Sequence, residues 1–273
     1  MLLDGRKLAH DRLLKLADKI SAAAKKPTIH FVRIGNDPAS EIYVNIKAAK
    51  ARSVGIKSTT TVLASEATQD EAAQLISQLN HDKSVDAILI QLPLPKHIDT
   101  DTLINMIDPQ KDVDGLTDIN VGRLSRGQAL YTPCTPQGIL SLLSHYDIPL
   151  DGQNVIIIGR SRIVGKPLSY CFTNHNATVT LCHQKTVQLK EKVQNADIIV
   201  SATGRRDIVN PKWIKDASIV IDVGIHRSPQ GICGDIDLSE EAHRLKAYTP
   251  VPGGVGPMTV CSLLENTFLA AQS

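Results

Sequence analysis

The stretch Asn154-Val-Ile-Ile-Ile-Gly-Arg-Ser-Arg-Ile-Val-Gly-Lys-Pro-Leu168 decides the fold of this chain. Residues 155–158 form a β-branched run without polar interruption, which is typical of a strand buried on both faces of a parallel sheet. Gly159 ends this run, and Pro167 lies where the first turn of a helix tolerates a missing N–H group. The stretch therefore predicts a strand, a tight turn and a helix.

A turn of this kind suits a phosphate group. It aims unpaired backbone N–H groups and the positive end of a helix dipole at one point. The spacing departs from the Gly-x-Gly-x-x-Gly pattern of dinucleotide sites, because Ser161 replaces the second glycine and Gly165 arrives one residue late. Taken alone, the motif leaves an ordinary strand-to-helix turn as the alternative.

The residues beyond the next strand favour NADP over NAD. An NAD site carries an Asp or Glu about 20 residues after the glycine turn, where it binds the ribose 2′-hydroxyl group. Here the strand predicted over 177–182 is followed by His-Gln-Lys-Thr at 183–186, and the first acid is Glu191. Arg160 and Lys185 would instead attract a 2′-phosphate.

Composition excludes several classes of function. The 273 residues, of which 42% are apolar, are enough for two modest domains with full cores. The 30 basic and 28 acidic residues give a net charge of only +2, and aromatic residues make up 3%, so nucleic-acid binding is not expected. The five cysteines form no Cys-x-x-Cys pair, which is typical of buried thiols in a reducing compartment.

Neither a secretory leader nor a membrane span is expected. The N-terminus is charged by Asp4, so it lacks the apolar segment of a signal peptide. The chain also has no apolar run of the roughly 18 residues that a membrane helix needs. We therefore expect a cytoplasmic protein.

Helices and strands alternate along the chain in two blocks. In the first block, the predicted helices lie at about 4–26, 38–52 and 68–80, and the strands at 28–34, 56–63 and 85–92. In the second, they lie at 135–145, 165–175 and 186–194, with strands at 155–158, 177–182, 198–201 and 218–223 and a last helix at 257–271. Such alternation predicts an α/β fold with parallel sheets between helices.

Three stretches carry candidate catalytic groups. Tyr43 and Lys47 are four residues apart in a predicted helix, so both project from one face, although a solvated pair is the ordinary alternative. Gln91 ends a buried strand, where ligands bind in open α/β sheets. Asp112 and Asp114 lie in a turn and lack further ligands at workable spacing, so no metal site is predicted.

Six motifs occur in order along the chain. They are Ser40-x-x-Tyr-Val-x-x-Lys47, Gln91-Leu-Pro-Leu-Pro95, Lys111-Asp-Val-Asp-Gly115, Tyr131-x-Pro-Cys-Thr-Pro136, Gly159-Arg-Ser-x-Ile-Val-Gly-x-Pro167 and Thr249-Pro-Val-Pro-Gly-Gly-Val-Gly-Pro-Met-Thr259. Together they resemble the bifunctional methylenetetrahydrofolate dehydrogenase/methenyltetrahydrofolate cyclohydrolase family, called FolD in bacteria. The resemblance covers essentially the whole chain.

The resemblance implies a fold of two domains with a cleft between them. An N-terminal αβα catalytic domain that binds folate would span 1–118, and a C-terminal Rossmann-like NAD(P)-binding domain would span 119–256. The last helix, 257–273, would pack back on the catalytic domain. The resemblance also implies a homodimer formed through the nucleotide-binding domain, and a place in one-carbon metabolism and purine biosynthesis.

The activity implied by the resemblance has two steps at one shared site. NADP oxidises 5,10-methylenetetrahydrofolate to 5,10-methenyltetrahydrofolate, which is then hydrolysed to 10-formyltetrahydrofolate. Lys47 would be the central catalytic residue, Tyr43 and Gln91 would position it and the folate, and Asp114 would bind the pterin. The loop residues Pro252 and Gly253 would also contact the folate substrate.

The resemblance also implies a set of cofactor-binding residues. These are Gly159, Arg160, Ser161, Ile163, Val164, His183, Lys185, Thr203, Gly204 and Ile225. Gln184 stands where the family has a serine at the 2′-phosphate, but a glutamine can also donate an N–H to a phosphate. We therefore expect NADP to be preferred, with NAD as the alternative cofactor.

Elementary chemistry supports the assigned roles. A lysine accepts a proton only in its neutral form. Burial favours that form, whereas a carboxylate in contact with the amine favours the charged form. Gln91 is therefore a better neighbour for Lys47 than Asp114 is. A carboxylate instead matches the two adjacent N–H donors of a pterin edge. We also expect cis peptide bonds before Pro93 and Pro252, where prolines constrain tight turns.

Two alternatives stay open at this point. Another two-domain NADP dehydrogenase, such as a shikimate dehydrogenase, also uses a Lys and an Asp, but it does not explain Gln91 or the glycine-rich loop at 250–257. A folate- or nucleotide-binding protein without turnover is the alternative from a different class.

Overall fold

A computed structural model describes residues 1–229 and 231–272, so Ser273, the end of the predicted last segment, lies outside the described residues. By its internal contacts the chain divides into two compact units, each named here for its sheet. The three-stranded unit comprises Asp11–Arg123, Ala129–Cys134 and the chain from Val260 onward. The five-stranded unit comprises Met1–His10, Leu124–Gln128 and Thr135–Thr259. The domain boundaries at 118 and 256 stay predictions.

The regular elements alternate as the sequence predicts. The helices are α1 (Gly5–Ala22), α2 (Pro38–Ser53), α3 (Gln69–His81), α4 (Thr100–Asn105), α5 (Asp118–Ser125), α6 (Cys134–His145), α7 (Gly165–Asn174), α8 (Leu189–Gln194) and α9 (Val255–Ala270). The strands are β1 (Thr28–Ile34), β2 (Lys57–Leu63), β3 (Ala87–Ile90), β4 (Asn154–Ile158), β5 (Thr178–Cys182), β6 (Ile198–Ser201), β7 (Ile219–Asp222), β8 (His226–Ser228), β9 (Gly231–Cys233) and β10 (Ala247–Tyr248).

The three-stranded unit is a parallel sheet in the order β2-β1-β3 with helices on both faces. Successive residues of β1 point to opposite faces, so Phe31 joins a core with α1, α2 and α9, whereas Val32 joins a core with α3 and α4. β3 is buried along its whole length. Gln91, the next residue, therefore leaves the sheet at its carboxyl end.

The helix that carries Lys47 begins where the sequence provides a cap. Asp37 accepts a hydrogen bond from the Ser40 N–H at 2.7 Å, and Pro38 occupies the first turn, where its missing N–H costs nothing. In the next helix, Thr68 and Glu71 form a capping box. These caps fix the register of α2 and α3 on the sheet.

The five-stranded unit is a parallel sheet in the order β10-β7-β6-β4-β5, accompanied by an antiparallel β8–β9 hairpin. All residues of β6 and β7 are buried, and so are the last four of β4. The parallel arrangement brings the carboxyl ends of β4, β5 and β6 to one edge. The predicted α/β class, with a parallel sheet in each half of the chain, is confirmed.

Close backbone contacts surround the glycine turn that joins β4 to α7. Gly159 has φ +120°, and a Cβ atom there would lie 2.2 Å from the Ala202 carbonyl oxygen. A Cβ atom on Gly165 would lie 1.8 Å from the Gly159 carbonyl oxygen. The late glycine thus lets α7 begin directly against the end of β4, the packing that the third glycine of a dinucleotide turn permits.

Several short elements lie outside the sequence prediction. Helices α4 and α5, the β8–β9 hairpin and β10 were not predicted, since each is too short to show a clear apolar period. Helix α8 begins at Leu189 rather than 186, because Gln188 has a left-handed φ of +55°. The peptide bonds before Pro93 and Pro252 are both cis, as predicted. Within the described ranges, no helix is long and apolar enough to cross a bilayer.

We predict that Gly165→Ala lowers the free energy of unfolding of the five-stranded unit by about 2 kcal/mol or more. The new methyl group would clash with backbone atoms, which cannot move aside as the end of a flexible side chain can. The single tryptophan, Trp213, packs on the core of this unit, so its fluorescence during urea unfolding measures the effect. Gly256→Ala is the control. A Cβ there meets open space in a helix, so a change within about 1 kcal/mol is expected. Equal unfolding midpoints for both variants would contradict the packing argument.

Candidate functional site

Lys47 and Gln91 form a hydrogen-bonded pair in the three-stranded unit. The Lys47 Nζ donates to Gln91 Oε1 at 3.1 Å, and Gln91 Nε2 donates to the Leu92 carbonyl oxygen at 2.6 Å. The second bond fixes the orientation of the amide, so its oxygen faces the amine. Gln91 is 9% exposed and Lys47 is half-buried. The predicted pairing of Lys47 with a neutral acceptor is confirmed.

Tyr43 lies one turn before Lys47 on α2. The two side chains share a helix face, as their spacing predicts. Tyr43 is 41% exposed, so much of its ring is open to a ligand beside the amine.

The two acids of the 111–115 turn have different environments. Asp112 is 1% exposed and accepts hydrogen bonds from the N–H groups of Leu116 and Thr117 at 3.1 and 2.8 Å and from Asn120 Nδ2 at 2.8 Å. Burial raises the pKa of Asp112, and these bonds oppose the rise. Asp114 is half-buried. Asp112 therefore holds the turn, which leaves Asp114 as the acid that can meet a ligand.

Cys134 lies close to both charged groups of this site. Burial raises the pKa of the Cys134 thiol well above its usual value; the Asp114 carboxylate raises it further, and the positive charge of Lys47 lowers it. Among the ion pairs of the described residues, none joins Lys47 to Asp114.

Asn266 on α9 is a residue that the sequence analysis missed. Its Nδ2 donates to the Val113 carbonyl oxygen at 2.8 Å and to that of Thr132 at 3.1 Å, and the residue is 8% exposed. It therefore ties the Asp114 turn to the helix beneath it. Asn266 lies between Glu265 and Thr267 in α9, so the sequence gave no signal that singles it out.

A groove of about 510 Å³ opens at the carboxyl ends of β4, β5 and β6. Five of the predicted cofactor-binding residues line it: Gly159, Arg160, Ser161, His183 and Thr203. The other lining residues are Ile158, Gln184, Thr186, Leu189, Ala202, Arg205 and Ile208. Most of these were not predicted, because short loops after β5 and β6 carry no pattern of their own.

The remaining predicted cofactor-binding residues belong to the same unit as the groove. Val164 is buried directly before α7, and Ile163 beside it is 43% exposed. Lys185 is exposed next to the lining residue Gln184. Gly204 has φ +62°, and Ile225 is 49% exposed after β7. The structure does not bring these five residues into the lining itself.

The groove is electropositive. Two lining residues, Arg160 and Arg205, carry positive charge, and within residues 1–229 and 231–272 no carboxylate lines the groove. Guanidinium groups match phosphate oxygens with paired hydrogen bonds. The residues present therefore fit a phosphorylated cofactor.

The expectation of unpaired N–H groups at the start of α7 was wrong for three residues. The N–H groups of Val164 and Gly165 donate to Ser161 Oγ at 3.2 and 3.4 Å, and that of Lys166 donates to the Ser161 carbonyl oxygen at 3.0 Å. The serine that replaces the second glycine closes the turn on itself. A phosphate at this place would rely on the Ser161 hydroxyl, the helix dipole and nearby cations.

The predicted substrate residues Pro252 and Gly253 belong to the five-stranded unit. Pro252 is exposed after its cis bond. Gly253 is buried with φ +116°, and its carbonyl oxygen accepts a hydrogen bond from the Arg6 N–H at 2.8 Å. In the part of the chain that the structure describes, no group of three His, Cys, Asp or Glu side chains is arranged to hold a metal ion.

A parallel sheet with a glycine turn after β4 and a cationic groove beside it defines the nucleotide-binding unit of an NAD(P)-dependent dehydrogenase. The comparisons with known proteins give the family. The model of the tetrahydrofolate dehydrogenase/cyclohydrolase catalytic domain matches residues 3–114, and that of its NAD(P)-binding domain matches residues 133–273. The chain belongs to the tetrahydrofolate dehydrogenase/cyclohydrolase family.

Individual relatives agree with this assignment. The bifunctional protein FolD of Methanoculleus marisnigri is 43% identical over 273 residues, which cover 100% of this chain and 96% of the relative. The crystal structure of the bifunctional enzyme FolD from Campylobacter jejuni has a TM-score of 0.97 at 42% identity, with 100% and 98% of the two chains covered. The Trypanosoma brucei FolD structure, complexed with NADP cofactor and inhibitor, has a TM-score of 0.95 at 32% identity, with coverage of 100% and 97%.

The alternative of a shikimate dehydrogenase is distant. The enzyme from Aquifex aeolicus has a TM-score of 0.54 at 13% identity, with 89% of this chain and 92% of that chain covered. This likeness extends to the fold alone.

Proposed function

We propose that this chain oxidises 5,10-methylenetetrahydrofolate to 5,10-methenyltetrahydrofolate with NADP and then hydrolyses the product to 10-formyltetrahydrofolate. The hydrogen bond between Lys47 Nζ and Gln91 Oε1 carries the proposal. It holds an amine next to a neutral acceptor at the carboxyl end of a parallel sheet, where α/β enzymes bind their ligands. Membership of the family supplies the substrate class.

In the first step, NADP held in the groove would supply the acceptor for a hydride from the methylene carbon of the folate. The protein's task in this step is to hold and orient the reactants and to exclude water. Arg160, Ser161 and His183 of the groove would bind the phosphates, with Lys185 beside them. This step requires no proton acceptor.

In the second step, water adds to the methenyl carbon, and Lys47 accepts a proton from that water. The bond between the former methenyl carbon and one folate nitrogen then breaks, which leaves a formyl group on the other nitrogen and releases one proton overall. Gln91 keeps the amine in place without adding negative charge that would hold a proton on it. Tyr43, exposed one turn away, would position the folate beside the amine.

Asp114 would bind the pterin. Its carboxylate can accept two parallel hydrogen bonds from adjacent N–H groups. Hydrogen bonds to this charged acceptor are stronger than those to a neutral one. Asp112 and Asn266 fix the turn that presents Asp114. Pro252 and Gly253 would contribute further folate contacts.

Reduction of NADP by methylenetetrahydrofolate, followed by conversion of the methenyl product, tests the proposed function. We expect the purified chain to form NADPH, and to do so faster than it forms NADH at equal cofactor concentration, because cations rather than carboxylates line the groove. Initial rates across both cofactor titrations measure the preference. An absence of cofactor reduction would indicate a binding protein, and equal or better use of NAD would overturn the cofactor assignment.

Lys47→Met should reduce the hydration of methenyltetrahydrofolate by at least about 100-fold, the usual scale for loss of a general base. The affinity for NADP should stay unchanged, because the cofactor groove belongs to the other unit. Stopped-flow absorbance of the methenyl group and NADP titration provide the two measurements. Lys50→Met is the matched control, since Lys50 is exposed on the same helix. A normal hydration rate in Lys47→Met would remove Lys47 from the chemistry.

Resemblance to the family also supports a homodimer formed through the nucleotide-binding domain, a cytoplasmic location and a supply of one-carbon units for purine biosynthesis. Sedimentation equilibrium at micromolar concentration tests the dimer. We expect a mass of twice 29.6 kDa. A mass that stays at that of one chain would exclude the dimer.

A further inference from the structure

The buried carboxylate of Asp235 joins two segments of the five-stranded unit. Asp235 is 1% exposed, and its Oδ2 accepts hydrogen bonds from Ser201 Oγ at 2.8 Å and from the Thr203 N–H at 2.8 Å. Its Oδ1 lies 2.7 Å from His226 Nε2 on the β8–β9 hairpin. One side chain thus links the end of β6 and the turn after it to the hairpin.

These contacts keep the carboxylate ionised. Burial alone would raise the pKa of Asp235, but hydrogen bonds from His226, Thr203 and Ser201 bring it below its usual value. Hydrogen bonds to an ionised acceptor are stronger than those between neutral groups. The turn after β6 is therefore held by a charged acceptor.

A second buried carboxylate fixes Asp235 itself. Asp222 accepts hydrogen bonds from the N–H groups of Asp235 and Ile236 at 3.0 and 2.8 Å. Two glycines pack against these acids. A Cβ on Gly224 would lie 2.1 Å from Asp235 Oδ1, and a Cβ on Gly234 would lie 2.1 Å from Asp222 Oδ2. Neither position therefore has space for a side chain. Hydrogen bonds thus fix both the backbone of Asp235, through Asp222, and its side chain, through Ser201, Thr203 and His226.

The turn that Asp235 holds forms one wall of the cofactor groove. Ala202, Thr203 and Arg205 all line the groove. Thr203 Oγ1 lies 2.9 Å from Asp235 Oδ2 and accepts a hydrogen bond from the Arg205 N–H at 3.0 Å. A continuous set of hydrogen bonds therefore connects the buried carboxylate to the backbone of Arg205, whose side chain belongs to the groove.

We propose that Asp235 is a positioning residue for the cofactor, which sets the Ala202–Arg205 wall of the groove and so determines the affinity for NADP. The proposal rests on the proposed function. Asp235 itself lines no part of the groove and acts through Thr203. Its loss should therefore weaken cofactor binding while the hydration step, which uses no cofactor, continues.

Three variants test this role. Asp235→Ala removes the carboxylate that accepts hydrogen bonds from Ser201 and Thr203, and Asp235→Asn keeps an oxygen of similar position but no charge. Asp237→Ala is the matched control, because Asp237 is an exposed acid two residues away that bonds to Ser239 instead of the turn. The measurements are the KM for NADP, the rate of methenyltetrahydrofolate hydration without NADP, and the urea midpoint from Trp213 fluorescence.

We expect Asp235→Ala to raise the KM for NADP by about tenfold or more, the scale of one lost hydrogen bond to a charged group. Asp235→Asn should lie between this variant and the unmodified chain. Asp237→Ala should match the unmodified chain, and hydration should change by less than about twofold in all three, since only the cofactor wall is altered.

The outcomes separate the alternatives. An Asp235→Ala variant with a normal Trp213 midpoint and an unchanged KM overturns the proposal. If that variant unfolds, Asp235→Asn decides: a raised KM with a normal midpoint supports the proposal, and an unchanged KM overturns it. An unmodified chain that reduces no NADP overturns the proposed function instead, which keeps the two failures distinct.

Discussion

The close approach of three backbone segments around Gly159 is the constraint on which the five-stranded unit depends. Gly159 faces the Ala202 carbonyl, and Gly165 faces the Gly159 carbonyl, at distances that leave no space for a side chain. The end of β4, the start of α7 and the end of β6 are thereby brought together. Residues at and just after the ends of β4 and β6 line the groove, so packing between these backbones helps to set its shape.

Buried carboxylates have a common structural task in both units. Asp112 holds the turn that presents Asp114, and Asp222 and Asp235 hold the segments after β6 and β7. Each is nearly free of solvent contact, and each accepts several hydrogen bonds, which offset the cost of burying a charged group. The chain thus separates acids that shape loops from the acid that remains available to a ligand.

The sequence predicted the long elements well, for identifiable physical reasons. The bounds of β1 are those predicted, because Pro27 and Gly35 flank a strand in which buried apolar residues mostly alternate with more exposed polar ones. The resemblance to the family implied that Gln91 positions Lys47, and the preference of a neutral amine for an uncharged neighbour supported this; the structure shows a hydrogen bond between the two side chains. Helix α4 and the β8–β9 hairpin escaped prediction, since a few residues cannot show a period.

Contacts between distant segments were the other limit of the sequence analysis. Nothing in the sequence around Asp235 indicates that its side chain reaches Ser201 and Thr203, more than 30 positions earlier. Likewise, the sequence showed Ser161 only as a departure from a glycine pattern. Whether its hydroxyl would bind a ligand or close its own turn depends on rotamer and backbone geometry that only the structure shows.

Closure of that turn by Ser161 has a consequence for ionic conditions. With three N–H groups at the start of α7 already engaged, attraction of an anion falls to exposed side chains such as Arg160 and Arg205. Charges in contact with solvent are screened over about 8 Å at physiological ionic strength, whereas buried dipoles are much less so. Added salt should therefore weaken the binding of a polyphosphate at this turn. The effect should be larger than at a turn whose backbone N–H groups are unpaired and point towards the ligand.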